Sequence, residues 1–158
     1  MSQDYECEVV AAALRSAFAD TTKKPKRITS NPRYHPEDEE IQDLLKEIEW
    51  SNLPKEFLLD TTAWILMTQD GLDYFLPGIV LAGVSAESEA RDSARYLLSN
   101  ICVERSLKEW LTTLRKYSRE QIEVIHEAIK IIRTKDEQFW INTSFDEAYC
   151  VVTRLPGC

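Results

Sequence analysis

The chain holds two histidines, His35 and His126, against 27 Asp and Glu. His35 heads the run "HPEDEE", in which one ring nitrogen stands beside the carboxylates of Glu37, Asp38, Glu39 and Glu40. That donor mix suits a divalent cation. Consecutive helical residues point in different directions, however, so the run reads as a solvated helix start and no metal site is expected. His126 lies one turn after Ile122 and just before Ile129, at the edge of an apolar stripe. A boundary histidine with its polar needs met is the reading there. Two histidines leave little material for a Ser-His-Asp triad or a multi-histidine zinc site. Neither a phosphate-cradling nor a nucleotide-binding glycine motif occurs, and G-x-S-x-G is missing too. Carboxylates are abundant, but glycosidase chemistry needs two of them across a cleft. The expectation is a protein that is not an enzyme and takes no cofactor.

The charge is unevenly spread. Residues 20–35 set Asp20 against Lys23, Lys24, Lys26, Arg27 and Arg33, a balance of +4. Residues 36–60 hold nine acids and two lysines, a balance of −7. An acidic chain of net charge −8 repels nucleic acid over most of its surface, because phosphate binding needs clustered Lys and Arg. The basic tract reads as a mobile solvated loop. The four cysteines, Cys7, Cys102, Cys150 and Cys158, show no C-x-x-C spacing and read as reduced thiols. The N-terminus has no basic region before an apolar one. The longest apolar run, Tyr74 to Val84, falls short of the roughly 20 residues that span a bilayer. A cytoplasmic protein with no membrane contact is expected.

These residues must be carried by helices. Apolar residues at Val9, Val10, Ala13, Leu14 and Ala17 repeat at helical spacing over residues 4–19. A proline-rich basic loop over 20–36 follows, long for a compact domain. The run from Pro36 to Trp50 opens with Pro and four acids, which suit a helix N-terminus. Ile41, Leu44, Leu45 and Ile48 form its stripe. A helix from Pro54 to about Met67 comes next, capped by Ser51 or Asn52, then one capped by Thr68. Further helices are expected after Ser85 (with Glu87 and Glu89 at the start), from Arg105 to Tyr117, after the capping box Ser118–Gln121, and after a second box, Ser144–Glu147, ending at Pro156 and Gly157. Strand alternation is lacking. The prediction is an all-α, compact single-domain bundle over residues 1–158, of seven or eight helices with a central kinked apolar helix.

That central helix contains "GLDYFLPGIVLAGV", residues 71–84. Pro77 removes one amide donor and clashes with the carbonyl of Asp73. Either Pro77 kinks one helix or it opens a new one. Gly78 and Gly83 admit a close neighbour. Tyr74, Phe75, Leu76 and Pro77 are expected to be structural, and carbonyls freed at the kink could face a small pocket.

"DGLDYFLPGIVLAGV" resembles the signature of an uncharacterised family of small bacterial helical proteins, in which a turn leads into an aromatic pair and then Leu-Pro-Ala. The likeness extends to the acidic helix with "SNLPKEFL" and to "SREQIEVIHEAIKII", covering about residues 10–133. Gly78 stands where the family has Ala. The resemblance implies an all-helical domain and no activity.

The function expected is therefore that of a non-enzymatic acidic binding protein. Its sharpest form is an immunity- or inhibitor-type protein neutralising a partner with a basic surface. Glu37, Asp38, Glu39, Glu40, Asp43 and Glu47 would present the acidic face. Trp140 and Phe139 are a candidate aromatic anchor. The alternatives are a structural subunit, such as a homodimer, and a small-ligand or enzymatic protein using a pocket at the Tyr74–Pro77 kink.

Overall fold

Thr68 starts the helix around which the others pack. Its extended backbone and its hydroxyl, which accepts from Gly71 N at 2.9 Å, open a helix over Gln69–Gly83. In this computed structural model, residues 3–21, 23–30, 36–60, 62–85, 88–136 and 143–154 are described. Among them are eight α-helices: α1 (Gln3–Ala17), α2 (Pro36–Leu45), α3 (Lys55–Leu59), α4 (Gln69–Gly83), α5 (Ser88–Glu104), α6 (Leu107–Arg115), α7 (Arg119–Lys135) and α8 (Thr143–Thr153). Two 3-10 turns, Trp50–Asn52 and Ala63–Leu66, link α2, α3 and α4. The only β-type pairing among the described residues is an isolated bridge between Thr29 and Met67. The all-α bundle is as expected. No described helix is long and apolar enough to cross a membrane.

α4 is buried along most of its length and touches α1, α5, α6, α7 and the Trp50 turn. It runs unbroken through Pro77, so the proline sits inside one helix. The acceptor that Pro77 cannot serve, the carbonyl of Asp73, takes a hydrogen bond from the Tyr117 hydroxyl at 2.6 Å. A side chain from the end of α6 thus replaces the missing amide. Tyr74, Phe75, Leu76 and Pro77 are all buried, as a structural role requires. Tyr117→Phe is expected to cost about 1–3 kcal/mol, the penalty of an unmet buried carbonyl. In a Pro77→Ala background the restored amide serves that carbonyl, and the cost should shrink. Urea denaturation of the four proteins measures the coupling; an equal cost in both backgrounds would show that the hydroxyl is dispensable.

Several boundaries differ from the periodicity. α2 stops at Leu45 rather than reaching Trp50. The Lys24 ammonium donates to the carbonyls of Leu45 (3.4 Å) and Lys46 (2.9 Å), closing the helix from outside. The stretch expected as one helix from Pro54 to Met67 breaks at Asp60. The Asp60 carboxylate accepts from Thr62 N (3.0 Å), Thr62 Oγ1 (2.9 Å) and Ala63 N (3.2 Å), a local turn that competes with helix. α6 begins at Leu107 because Ser106 and Glu109 form a capping box, leaving Arg105 outside the helix. α8 begins at Thr143, so Ser144 is inside the helix and is not its cap. It ends at Thr153, with Arg154 in the left-handed region at φ 54°. Glu87, Trp140, Phe139, Pro156 and Gly157 lie outside the described residues.

On α1, Val10 and Leu14 face the core. Val9 and Ala13, read as part of the same stripe, are exposed instead. On α7 the capping box at Ser118 and Gln121 forms, and Ile122, Ile125, Ile129 and Ile132 are buried, both as read from the sequence. Trp110 packs edge-on to Phe145 with ring centroids 5.0 Å apart, joining α6 to α8. Cys7 and Cys102 are free thiols, and burial pushes the Cys102 pKa up to about 12. Cys150 is disulfide-bonded, which corrects the reading of four reduced thiols; spacing alone carries no information on a pairing of this kind.

Candidate functional site

The acidic run folds as α2 and the turn after it. A helix brings residues three and four apart onto one face. Glu37, Glu39, Glu40 and Asp43 are exposed on α2, and Glu47 is exposed in the turn beyond its end. Asp38 does not belong to this face. It is 1 % exposed, on the inward stripe with Ile41 and Leu45 at steps of three and four. Asp43 pairs with Lys46 at 3.1 Å, an exposed contact worth little.

The basic tract before α2 is not a free loop over its described part. Gln42 holds residues 26–29: its carbonyl oxygen accepts from Ile28 N (2.8 Å) and Thr29 N (3.1 Å), and its amide donates to Lys26 O (3.2 Å). Ile28 O accepts from Thr68 N at 2.8 Å, tying the same segment to the start of α4. With Lys24 spent on the α2 carbonyls, the tract serves as a strap that fixes the acidic helix on the core. His35 lies outside the described residues.

The densest polar cluster surrounds Asp73, a residue that sequence reasoning noted only for its backbone carbonyl. Its side chain is 5 % exposed. It accepts from the Thr113 hydroxyl, from Lys116 Nζ at 2.6 Å and from Gln69 Nε2 at 3.1 Å. Arg105, whose side chain is 1 % exposed, stands 3.7 Å away. The guanidinium lies over the Trp110 ring with its carbon 4.8 Å from the centroid. Burial lowers the Arg105 pKa, and the charge of Asp73 works against that shift. Burial also works to lower Lys116, but hydrogen bonds to Asp70 and Asp73 outweigh it and hold the ammonium above the ordinary lysine value.

Beside this cluster, a cleft of about 390 Å³ opens next to Pro77. Phe18, Tyr74, Pro77 and Tyr117 form its apolar wall, with Lys23 and Lys116 as its cations. Most of its polar groups already have partners. The Tyr74 hydroxyl bonds Glu49 at 3.0 Å, and Gln121 bonds Ser118 N and Ala17 O. Burial, then the Glu49 bond, pushes the Tyr74 pKa up to about 12. Burial, then the Asp73 charge, raises Tyr117 well above the ordinary tyrosine value. Neither phenol is a base near neutral pH.

His126 stacks on Tyr149, with centroids 3.7 Å apart and planes 6° from parallel. Burial pulls its pKa down, so it sits as a neutral aromatic at the α7–α8 contact. Among the described residues no group of three or more His, Cys, Asp or Glu is placed to hold a metal ion.

The signal that could have found Asp73 was its position: an acid within a buried apolar helix, four residues before a proline. Asp38 was legible too, at helical spacing from Ile41 and Leu45. Compared with known proteins, the chain matches no protein-family profile, no curated protein and no solved structure.

Proposed function

We propose that the chain is a non-enzymatic binding protein that engages a partner with a basic surface, in its sharpest form an immunity- or inhibitor-type protein. The observation that supports this is the fixed acidic face of α2. Five carboxylates, Glu37, Glu39, Glu40, Asp43 and Glu47, reach solvent there, and the adjoining cation Lys24 bonds backbone carbonyls instead of neutralising them. Such a field speeds encounter and sets orientation. Membership of the family resembled over residues 10–133 belongs to the same proposal and adds no activity.

Charge reversal tests it. Glu39→Lys/Glu40→Lys/Asp43→Lys should slow association with the basic partner recovered from the native host by about tenfold or more at low salt. Stopped-flow mixing measures the rate, and an unchanged rate would count against the proposal. A second reading, a small anionic ligand in the cleft beside Pro77, is favoured by Lys23 and Lys116 on its wall. It stays second because Lys116 is already paired with Asp70 at 2.5 Å and Asp73 at 2.6 Å.

A further inference from the structure

α1 and α7 pack side by side and leave a groove of about 450 Å³ on their outer surface. Its floor is apolar: Tyr5, Val9 and Ala13 descend α1 at steps of four, facing Val124 and Ile131 of α7. Tyr5 is 55 % exposed and Val9 52 %. Tyr5, Val9 and Ala13 have the helical spacing of a packing face, and among the described residues they stand exposed. Four glutamates, Glu6, Glu120, Glu123 and Glu127, border the same groove. Among the described residues no lysine or arginine lines it. Glu123 pairs with Arg119 along its own helix at 3.0 Å, and Glu6 reaches Lys135 at 3.7 Å. For Glu120 and Glu127 there is no ion pair among the described residues.

We infer that this groove is the docking surface for a basic amphipathic helix. The inference rests on the proposal of a basic partner and names the element of that partner and where it seats. The apolar floor needs a complementary stripe, and a row at steps of four on α1 meshes with residues three and four apart on another helix. The acidic rim needs Lys or Arg on both sides of that stripe. A strand would find no sheet edge here to pair with. A second copy docked groove to groove would set these glutamates against their own counterparts, so charge argues against self-association. The carboxylates accelerate arrival, and burial of Tyr5 and Val9 prolongs the complex.

The test uses the full chain and two labelled synthetic peptides of equal Leu and Lys content. One has its leucines at helical three- and four-residue spacing, and the other has them scrambled. Fluorescence anisotropy near physiological salt should show the amphipathic peptide binding about tenfold or more tighter than the scrambled one. Val9→Asp, on an exposed site and checked for an unchanged melting temperature, should weaken it about tenfold. Glu120→Lys/Glu127→Lys should do the same, while Glu39→Lys/Glu40→Lys/Asp43→Lys should leave it near wild type. Equal binding of the two peptides, binding of neither, or indifference to Val9→Asp would overturn the groove assignment. Loss only in the α2 variant would overturn it while leaving the basic-partner proposal standing. Sedimentation showing a dimer that Val9→Asp dissolves would give the groove to a second copy and overturn it as well.

Discussion

Replacing Asp73 by alanine is expected to cost about 3–5 kcal/mol of folding stability, the range for breaking a buried ion pair from one side. Which partner is stranded decides the size. Lys116 is 40 % exposed and keeps Asp70, so water and a second carboxylate absorb its loss. Thr113 loses one hydrogen bond, worth about 1 kcal/mol. Arg105 has less of both. Its side chain is 1 % exposed, and Glu109 stands 4.0 Å off on the solvent side. Among the described residues its Nε and Nη1 lack hydrogen-bond partners and its Nη2 donates only to Glu109 O at 3.4 Å, so the charge of Asp73 is the main compensation it has. A domain of ordinary stability, about 5–15 kcal/mol, would lose a large share of it. Urea denaturation of the variant measures the loss. A double variant, Asp73→Asn with Arg105→Met, should recover part of it, because removing both charges removes the stranded one. A loss under about 1 kcal/mol in Asp73→Ala would show that Arg105 is compensated elsewhere.

What could be read in advance was local. The α7 capping box needs only a serine and a glutamine three residues apart, and its isoleucine stripe needs only spacing. Both are carried within a few residues, and both form. The ends of α2 and α3 were not legible. Lys24 reaches the α2 carbonyls from 21 and 22 residues away, and the Asp60 turn competes with a helix that periodicity alone favours. The Asp73 cluster was hidden for the reason that hid the end of α2. Its partners at 105, 113 and 116 come from another part of the chain, and no spacing rule links them. The outer face of α1 shows the opposite failure. Val9 and Ala13 were counted with the core because they are apolar, but a helix has more apolar positions here than one packing face can cover. That surplus forms the floor of the α1–α7 groove.

The charge map divides in a way that composition could not show. The acids of α2 stay at the surface except Asp38, which follows Ile41 and Leu45 inward. Of the neighbouring basic tract, the Lys24 ammonium bonds carbonyls at the end of that helix and the backbone of residues 26–29 is held by Gln42. The net charge of −8 is therefore expressed outward in at least two places, on α2 and along the α1–α7 groove. The second adjoins the larger exposed apolar surface, with Tyr5 and Val9 at 55 % and 52 % exposure against Leu44 at 37 % on α2. Long-range attraction and a lasting contact can thus be separated experimentally, since rim charges act mainly on arrival and buried apolar contacts on departure.

Gly78→Ala should be the other severe substitution, for a reason unrelated to charge. A methyl at Gly78 would overlap the carbonyl oxygen of Trp50 outright and stand 3.0 Å from the carbonyl carbon. The obstacle is backbone, in the 3-10 turn whose tryptophan is itself 5 % exposed and packed on Phe18 at 5.7 Å. Relief requires moving that turn away from α4, which opens the core on both sides. The expected cost is about 3 kcal/mol, at the upper end for overpacking, and it outweighs the roughly 1 kcal/mol that alanine gains over glycine inside a helix. Gly83→Ala is the control on the same helix. There the added methyl meets Ile132 Cδ1 at 3.0 Å, the far end of a side chain that can turn aside, so the helix gain and the crowding nearly cancel. Thermal melts of the two variants should differ by several degrees or more. Equal melting temperatures would mean that the Trp50 turn yields freely, and that the close seat on α4 is not what holds it.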